Sequence, residues 1–482
     1  MFKGLSIDEL RRLLDDKKVT VEELFDESIK LAKDYQDDYN SFVTILDKCS
    51  YKDRDSILNG IPYSLKDNFS TSNILSTASS NILKDYIPVY DATVYKKLKK
   101  AGAVLIGKTT LDELAMGGTG TTANTGVVRN PYDKDRLIGG SSAGSASSVA
   151  LGITPFSIGS DTGDSVRKPA SFGGLVGFKP TYGRISRYGL FAFASSLDHV
   201  AILSRSVRDA AIVTDVLKGK DLNDMTTLDN DKAVYADMLD DSIKGKKLFY
   251  IKEICDLSEY SEVDDELKYT LNEFSKLMDK LKEEGFVVEE VSVDKKLLEA
   301  IYPAYMTISC AEATSNNSNL TGIQFGPRPK DVNDVNELMF KARTEGFSEL
   351  IKRRFILGSF ILQKENQDKL FLNALRVRRM IVDRINELFE EYDGMILPAT
   401  GGVAPRFDDS SEKLSDRYMI LENHMAIANF GGMPSITIPF TKLNDLPIGV
   451  NITCKAKEDA KTLTIAKHVE DVTGLKGIYK EV

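Results

Sequence analysis

Apolar residues recur along much of the chain at the three- and four-residue spacing of helices that bury one face. Long stretches of this kind run over residues 263–284, 364–392 and 457–472. Two more helices are predicted at the start, because Ser6 and Thr20 are each followed three positions later by a glutamate, the pattern of a capping box. The chain therefore begins with a helical segment.

Short, nearly continuous apolar runs alternate with the helical stretches and predict buried strands. These runs are AVLIG (103–107), FVVEEVSV (286–293), GMILPAT (394–400), PSITIPF (434–440) and LPIGVNITC (446–454). Before the first of them, ATVYKKLKKAG predicts a helix that ends at Gly102, and TLDELAMGG after it predicts a short helix. Strands interleaved with helices are typical of an α/β protein whose central sheet carries helices on both faces.

No Pro/Ser-rich linker and no internal repeat divides the chain, so we expect one large domain over residues 1–482. The polar, Asn/Asp-rich stretch 313–335 is interpreted as a surface excursion rather than a domain boundary. Within the domain we distinguish four parts: a helical lead-in (1–55), the part with most motifs (60–210), a more variable helix-rich part (220–400) and C-terminal strands with a helix (400–482).

The composition of the chain excludes several classes of protein. With 42% hydrophobic residues the chain can bury a large core, and its net charge of −9 argues against a surface that grips nucleic acid by itself. No run approaches 18 apolar residues, and the first residues lack the apolar core of a secretory signal, so we expect a cytoplasmic location. The four cysteines are far apart without a C-x-x-C pair, which favours reduced thiols over a zinc site or disulfides.

Two motifs match known signatures but lie in the wrong structural context. GAVLIGKT, residues 102–109, fits the phosphate-loop pattern, yet a helix precedes Gly102 and AVLI is itself the predicted strand. GSSAG, residues 140–144, fits the nucleophile elbow with Ser142 at its centre, but the preceding RNPYDKDRLIG reads as a loop. That elbow would also need His199, His424 or His468, the three histidines of the chain.

A third possibility needs no histidine. Residues 157–174 combine small residues, hydroxyls and charges, and Ser165 among them is a candidate nucleophile. Its base can be a lysine that burial makes neutral, and Lys66 in the apolar, strand-like GIPYSLKDNF is a candidate. From the residues alone, a solvated strand end remains the alternative for Lys66.

Together, GIPYSLKDN, GGSSAGSASSVALG, GSDTGDSVRKPASFGG and PSITIP resemble the amidase signature family over nearly the whole chain. The resemblance implies the fold of that family and a Ser/cis-Ser/Lys triad that cuts amide bonds. It makes Ser165 the nucleophile, Lys66 the base and Ser141 the bridging serine, behind a cis Gly140–Ser141 bond. In the family 24 residues separate the two serines, as they do here, which selects Ser141 over Ser142.

Within that family, the run KPTYGRISRYGLFAFASSLDHV (179–200) is most similar to the glutaminase subunits of tRNA-dependent amidotransferases. The resemblance implies that this chain hydrolyses glutamine and passes ammonia to a partner B subunit, which converts Glu-tRNA(Gln) to Gln-tRNA(Gln) with ATP and Mg²⁺. A small C subunit completes the heterotrimer, and this chain itself carries no cofactor or metal. The alternatives are a stand-alone amidase for another primary amide and a paralogue whose site has decayed.

The resemblance also assigns the substrate contacts. The backbone N–H groups of Thr162, Gly163, Asp164 and Ser165 are expected to form the oxyanion hole. Four further residues are expected to bind glutamine: Gly117, Gly118, Arg354 for its α-carboxylate and Glu422 for its α-ammonium group, where the family usually has aspartate.

Asp164 departs from the family pattern, which has glycine there, and Lys168 stands where glutamine is common. A carboxylate aimed at the oxyanion would oppose the charge that forms in the reaction. We therefore expect the Asp164 side chain to point away from the site of attack and to be neutralised by Arg167 or Lys168.

Overall fold

The computed structural model describes residues 2–409, 415 and 417–481. Eleven strands form one mixed sheet in the order β1-β3-β2-β6-β8-β7-β12-β13-β11-β9-β10, and β4 pairs with β5 in a separate ribbon. The strands are β1 (Phe42–Ile45), β2 (Pro62–Lys66), β3 (Val104–Thr109), β4 (Arg129–Asn130), β5 (Asp133–Leu137), β6 (Phe156–Asp161), β7 (Val176–Lys179), β8 (His199–Ser204), β9 (Lys247–Ile251), β10 (Val287–Val291), β11 (Gly394–Pro398), β12 (Ser435–Leu443) and β13 (Leu446–Thr453).

Helices connect these strands. They are α1 (Ile7–Asp15), α2 (Val21–Asp34), α3 (Gln36–Tyr39), α4 (Thr93–Lys100), α5 (Ala143–Ala150), α6 (Arg167–Gly173), α7 (Val207–Leu217), α8 (Lys252–Cys255), α9 (Asp265–Glu283), α10 (Lys295–Glu299), α11 (Ile301–Asn316), α12 (Val335–Gly346), α13 (Glu349–Ile361), α14 (Lys364–Gln367), α15 (Asn373–Leu388), α16 (Ala426–Phe430) and α17 (Asp459–Thr473). Shorter 3₁₀ turns lie at Asn81–Leu83, Glu113–Ala115, Tyr235–Asp237 and Leu257–Glu259, and π-helical turns at Asp368–Leu372 and Arg417–Leu421.

Helices cover both faces of the sheet, as the alternation along strand β8 shows. Ala201 and Leu203 pack in one apolar cluster with residues of α5 and α6. Val200 and Ile202, which point to the opposite face, pack with residues of α7. This is the α/β fold with a central mixed sheet that the sequence predicts.

The three strands beside the site are parallel, which brings their carboxyl ends to one edge of the sheet. Strand β2 lies between β3 and β6 and is parallel to both. Its last residue is therefore the neighbour of the polar segment that follows β6, and the loop before α5 returns to the same edge. In open α/β sheets this edge is where ligands bind.

Most predicted elements are confirmed, including both capping boxes. Three predictions are wrong. The lead-in also contributes edge strand β1, which pairs antiparallel with β3. RNPYDKDRLIG, read as a loop, contains the β4–β5 ribbon. TLDELAMGG forms only the 3₁₀ turn Glu113–Ala115, in which Leu114 has a φ of 53°.

The stretch 364–392 is helical, but the π-helical turn interrupts it between α14 and α15. Of the stretch 313–335 expected as a surface excursion, residues 313–316 end α11 and residue 335 begins α12, and residues 317–334 connect the two helices. No helix in the described ranges is long and apolar enough to cross a membrane.

Candidate active site

Lys66 is the last residue of β2 and is fully buried. Its Nζ lies 2.8 Å from Ser141 Oγ, 2.9 Å from Ser160 Oγ and 3.3 Å from the Ser160 backbone oxygen. A solvated strand end, the alternative for this lysine, is thereby excluded. The structure joins Lys66 directly to the serine that the sequence predicts as its bridging partner.

The environment of Lys66 suits a base. Burial lowers its pKa to about 7, although the nearby carboxylates of Asp112, Asp161 and Asp198 act to raise it. Desolvation therefore outweighs the attraction of three acids, none of which forms an ion pair with this lysine among the described residues. Near neutral pH a large share of the side chain is an uncharged amine that can accept a proton.

Ser141 is held by its backbone. The Gly140–Ser141 peptide bond is cis, as expected. The Asp112 N–H donates to the Ser141 carbonyl at 3.1 Å, and the Gly140 N–H donates to the Gly118 carbonyl at 3.0 Å. Only glycine fits at position 140, because an added Cβ would lie 2.0 Å from Asp112 Oδ2.

Asp112 organises the loop that carries the predicted glycines, a role that the sequence analysis missed. Its carboxylate accepts the backbone N–H groups of four consecutive residues: Thr119, Gly120, Thr121 and Thr122. Gly117 packs against this carboxylate, since an added Cβ would lie 2.4 Å from Asp112 Cγ, whereas Gly118 borders open space. The two glycines therefore have separate roles, one in packing and one at an open surface.

Ser165 follows β6 in the loop that leads into α6, and it is 3% exposed. Its backbone carbonyl accepts the N–H of Ser142 at 3.1 Å, which fixes this loop against the loop of Ser141. The Ser165 hydroxyl makes no hydrogen bond to another residue in the described part of the chain. The bond from Ser141 to Ser165 that would complete the relay is thus not formed in this structure.

The loop after β6 presents unused backbone donors. Among the described residues, no acceptor is bound to the N–H groups of Thr162, Gly163, Asp164 or Ser165. The next amide, that of Val166, donates to Asp161 Oδ2 at 3.0 Å. The predicted oxyanion-hole residues therefore do offer free donors beside Ser165.

Two buried carboxylates shape this loop, and neither was singled out from the sequence. Asp161 binds the Arg167 guanidinium at 2.9 Å. Burial raises the pKa of Asp161, but Arg167, Lys179 and the Val166 N–H together lower it by more, so it lies well below its usual range. Asp198 accepts the Thr162 hydroxyl at 2.7 Å, and burial raises the pKa of Asp198 to about 6. Asp198 reaches this loop from a segment 36 residues along the chain, whereas Asp161 pairs with Arg167 six residues further on.

Arg354, on α13, stands at the other end of the site. It is half-buried, unlike the exposed Arg353, and its guanidinium lies 5.7 Å from the centre of the Phe193 ring. Its buried Nε has no hydrogen-bond partner, and no carboxylate pairs with it in the described ranges. Tyr305 lies between it and the oxyanion loop, since a Cβ on Gly163 would come within 2.9 Å of the Tyr305 ring. Arg354 can therefore bind an anion.

Glu422 follows the π-helical turn, and its side chain lies near Lys168, one of the two residues expected to neutralise Asp164. Its Oε1 accepts the Gly401 N–H at 3.0 Å, and its Oε2 lies 3.9 Å from Lys168 Nζ. Lys168 is bonded more closely to Asp164 Oδ2, at 2.7 Å. The predicted neutralisation of Asp164 is thus confirmed for Lys168, whereas Arg167 is bound to Asp161. That the Asp164 side chain points away from a bound substrate stays a prediction.

The rejected motifs have structural roles. Lys108, the lysine of the phosphate-loop match, is fully buried and contacts Asp67 Oδ1 at 3.3 Å. The Ser142 hydroxyl donates to the Ser160 carbonyl at 3.1 Å in the core.

The three histidines lie outside the relay. A ring nitrogen of each one lies at a backbone carbonyl, and none of them contacts a candidate serine: these are His199, His424 and His468. No group of three or more metal-ligating His, Cys, Asp or Glu side chains occurs within the described residues.

The amidase family model matches residues 15–463. The A subunit of glutamyl-tRNA(Gln) amidotransferase from Lactobacillus gasseri is 37% identical, covering 96% of each chain, and its counterpart from Halothermothrix orenii is 38% identical, covering 98% of each. Among solved structures, the counterpart from Thermotoga maritima superposes with a TM-score of 0.81 at 34% identity, over 98% of this chain and 95% of its own. A peptide amidase from Stenotrophomonas maltophilia, at 23% identity and a TM-score of 0.81, shares the fold over 99% of both chains.

Proposed function

Since the chain belongs to the amidase family, we propose that it is the glutamine-hydrolysing subunit of a tRNA-dependent amidotransferase. The observation that carries the proposal is the buried contact of Lys66 with Ser141, next to a loop with free backbone donors and Ser165. The names of the full-length relatives favour an amidotransferase component over a stand-alone amidase.

In the proposed reaction Ser165 Oγ attacks the side-chain carboxamide carbon of glutamine. Its proton passes to the Ser141 hydroxyl, which gives its own proton to the neutral Lys66 amine. The backbone N–H groups of residues 162–165 stabilise the negative oxygen of the tetrahedral intermediate, with each donor contributing on the order of 3 kcal/mol. No histidine takes part.

The C–N bond then breaks, and ammonia leaves with a proton returned along the same relay. The glutamyl group remains as an ester on Ser165 until water, deprotonated through Ser141 and Lys66, attacks it. Glutamate is released and the serine hydroxyl is restored, so each turnover converts one glutamine and one water into glutamate and ammonia.

Glutamine recognition is proposed to use both ends of the amino acid. The guanidinium of Arg354, which has no carboxylate partner among the described residues, binds the α-carboxylate, and Glu422 binds the α-ammonium group. Gly118 borders the open space into which the substrate extends, and Gly117 keeps the loop close to Asp112. The pairing of opposite charges selects a free amino acid over a simple amide.

The ammonia is proposed to serve partner subunits in the cytoplasm. A B subunit holds Glu-tRNA(Gln), activates its glutamate with ATP and Mg²⁺ and receives the ammonia, and a small C subunit joins the other two. This division of labour accords with a chain whose net charge is −9. Two experiments test this assignment. The chain should co-purify with both partners, and its glutaminase activity should rise when they and Glu-tRNA(Gln) are added.

The catalytic proposal is tested with the purified chain, glutamine and hydroxylamine. Wild type should release ammonia and form γ-glutamyl hydroxamate, since hydroxylamine captures the ester. Ser165→Ala should form neither, whereas Ser157→Ala, a buried serine of the same segment that donates to the Ser64 carbonyl, should retain both. Hydroxamate formation by Ser165→Ala would overturn the assignment of the nucleophile.

A further inference from the structure

Lys168 is shared by two carboxylates at the edge of the active site. Its Nζ is bonded to Asp164 Oδ2 at 2.7 Å and to the Glu422 backbone oxygen at 2.7 Å, while Glu422 Oε2 lies 3.9 Å away. The three side chains are between 14% and 20% exposed, so solvent screens them only in part. One cation between two acids leaves this cluster with a net negative charge.

The distances rank the two contacts of Lys168. A separation of 2.7 Å is a full charge-assisted hydrogen bond, whereas 3.9 Å is a loose ion pair at the limit of contact. The geometry therefore places the cation mainly at Asp164, and among the described residues Glu422 Oε2 has no closer partner. Gly401 binds only the other oxygen, Oε1.

Both carboxylates act on this lysine. Burial lowers the pKa of Lys168, but Asp164 and Glu422 raise it by more, so its pKa lies above the ordinary value. Lys168 is therefore a cation near neutral pH, and its position decides whether Glu422 is free or neutralised.

We propose that Asp164 is a specificity-determining residue for glutamine, because it holds Lys168 away from Glu422 Oε2 and so keeps that oxygen free for the α-ammonium group. This inference rests on the proposed function. Without the Asp164 carboxylate, Lys168 turns fully to Glu422, closes the 3.9 Å gap and occupies the ammonium position with its own charge. The site then loses its preference for a substrate that carries a free amine.

The test compares glutamine with glutaramate, which has the same amide and carboxylate but lacks the α-ammonium group. The measured quantity is the ratio of kcat/KM for glutamine to that for glutaramate. A ratio is used because Asp164 also belongs to the oxyanion loop, and a change in rate common to both substrates cancels in the ratio. Wild type should favour glutamine.

Asp164→Asn should lower this ratio about tenfold, the loss expected for one partly exposed charge pair. Lys168→Gln in the same chain removes the cation that was set free, so the double variant should return to within about threefold of wild type. Lys168→Gln alone should not lower the ratio, because both carboxylates then face the amine.

A ratio within twofold of wild type in Asp164→Asn, or a double variant as low as Asp164→Asn, would overturn the role of Asp164. Failure of the proposed function looks different, because wild type would then hydrolyse neither substrate. Urea unfolding midpoints of all variants show which of them are folded, and the double variant keeps the inference testable if Asp164→Asn alone is unstable.

Discussion

The two ends of the active site are built in opposite ways. At the base end, Lys66, Ser141 and Ser160 are buried, and every contact of Lys66 Nζ is a close one. At the end proposed to bind the amino-acid part of glutamine, here called the amino-acid end, Arg354 and Glu422 are partly exposed, and the buried Nε of Arg354 has no partner among the described residues. The hydrogen bonds at the base end are formed without substrate, whereas charged groups at the amino-acid end remain available to bind it.

The difference follows from what each end must do. A lysine becomes a neutral base only where burial outweighs nearby acids, which requires a packed core and fixed neighbours. A charge that recognises substrate must instead stay accessible, which agrees with the partial exposure of Arg354 and Glu422. Substitutions at the base end should therefore act on kcat, and substitutions at the amino-acid end on KM.

The largest effect is expected at Lys66. Lys66→Met removes the base and should lower kcat for glutamine at least about 1,000-fold. Stability should change little, because Lys66 has no ion pair in the described ranges and methionine fills a similar volume. Steady-state ammonia release and urea unfolding midpoints measure the two quantities.

Lys108→Met is the matched control, because Lys108 is equally buried on the adjacent strand but is paired with Asp67. It leaves that carboxylate unpaired and should cost about 3–5 kcal/mol of unfolding free energy. If Lys66→Met proved the more destabilised of the two, the distinction between catalytic and structural buried lysines would fail.

The second prediction concerns Arg354. Arg354→Gln should raise the KM for glutamine roughly 10- to 100-fold with little change in kcat, because one charge-assisted contact to the α-carboxylate is lost. The rate with 4-aminobutyramide, which lacks that carboxylate, should stay near wild type. An equal loss on both amides would show that Arg354 supports the fold of the site rather than recognition.

The pH dependence of kcat/KM distinguishes the base end of the site from the amino-acid end. The unfolded lysine has an ordinary pKa of 10.5, and burial lowers it to about 7 in the folded chain. The base is active when neutral, so kcat/KM should fall as pH drops through about 7 and level off above it. Measurements from about pH 5.5 to 8.5 define this midpoint.

Arg354→Gln should keep the same midpoint, since the charges that act on Lys66 are Asp112, Asp161 and Asp198. A midpoint that moved by a full pH unit in that variant would show that the two ends of the site are electrostatically coupled rather than independent.

The smallest effect is expected at Ser142, which is the matched control for the adjacent Ser141. Ser142→Ala removes one hydrogen bond to the Ser160 carbonyl and should cost about 1 kcal/mol of stability with only a few-fold change in rate. Ser141→Ala interrupts the contact with Lys66 and should lower kcat by about 100-fold or more. Similar rates in the two variants would contradict Ser141 as the bridging serine.

Much of the base end can be predicted from the sequence, because its residues lie in short runs that resemble the motifs of the amidase signature family and share its 24-residue spacing of the two serines. Lys66 ends an apolar strand, and Ser141 and Ser165 lie in small-residue segments on either side of another strand. Local composition misleads in two segments. RNPYDKDRLIG is polar on its surface side yet pairs as a ribbon, and TLDELAMGG cannot continue as a helix because Leu114 and Ala115 have positive φ.

The sequence by itself therefore determined the α/β class, and its resemblance to the amidase signature family implied the residues of the relay and the candidate charges for glutamine. Only the tertiary structure decided the pKa of Lys66 and the ion-pair partners of the charged groups. Asp112, Asp161 and Asp198 reach Lys66 from separate segments, and their pull against desolvation sets its pKa. Packing also determines that Asp164 pairs with Lys168 and not with Arg167, because Arg167 forms its ion pair with the buried Asp161. Electrostatic energies depend on distance and burial, and neither can be read along the chain.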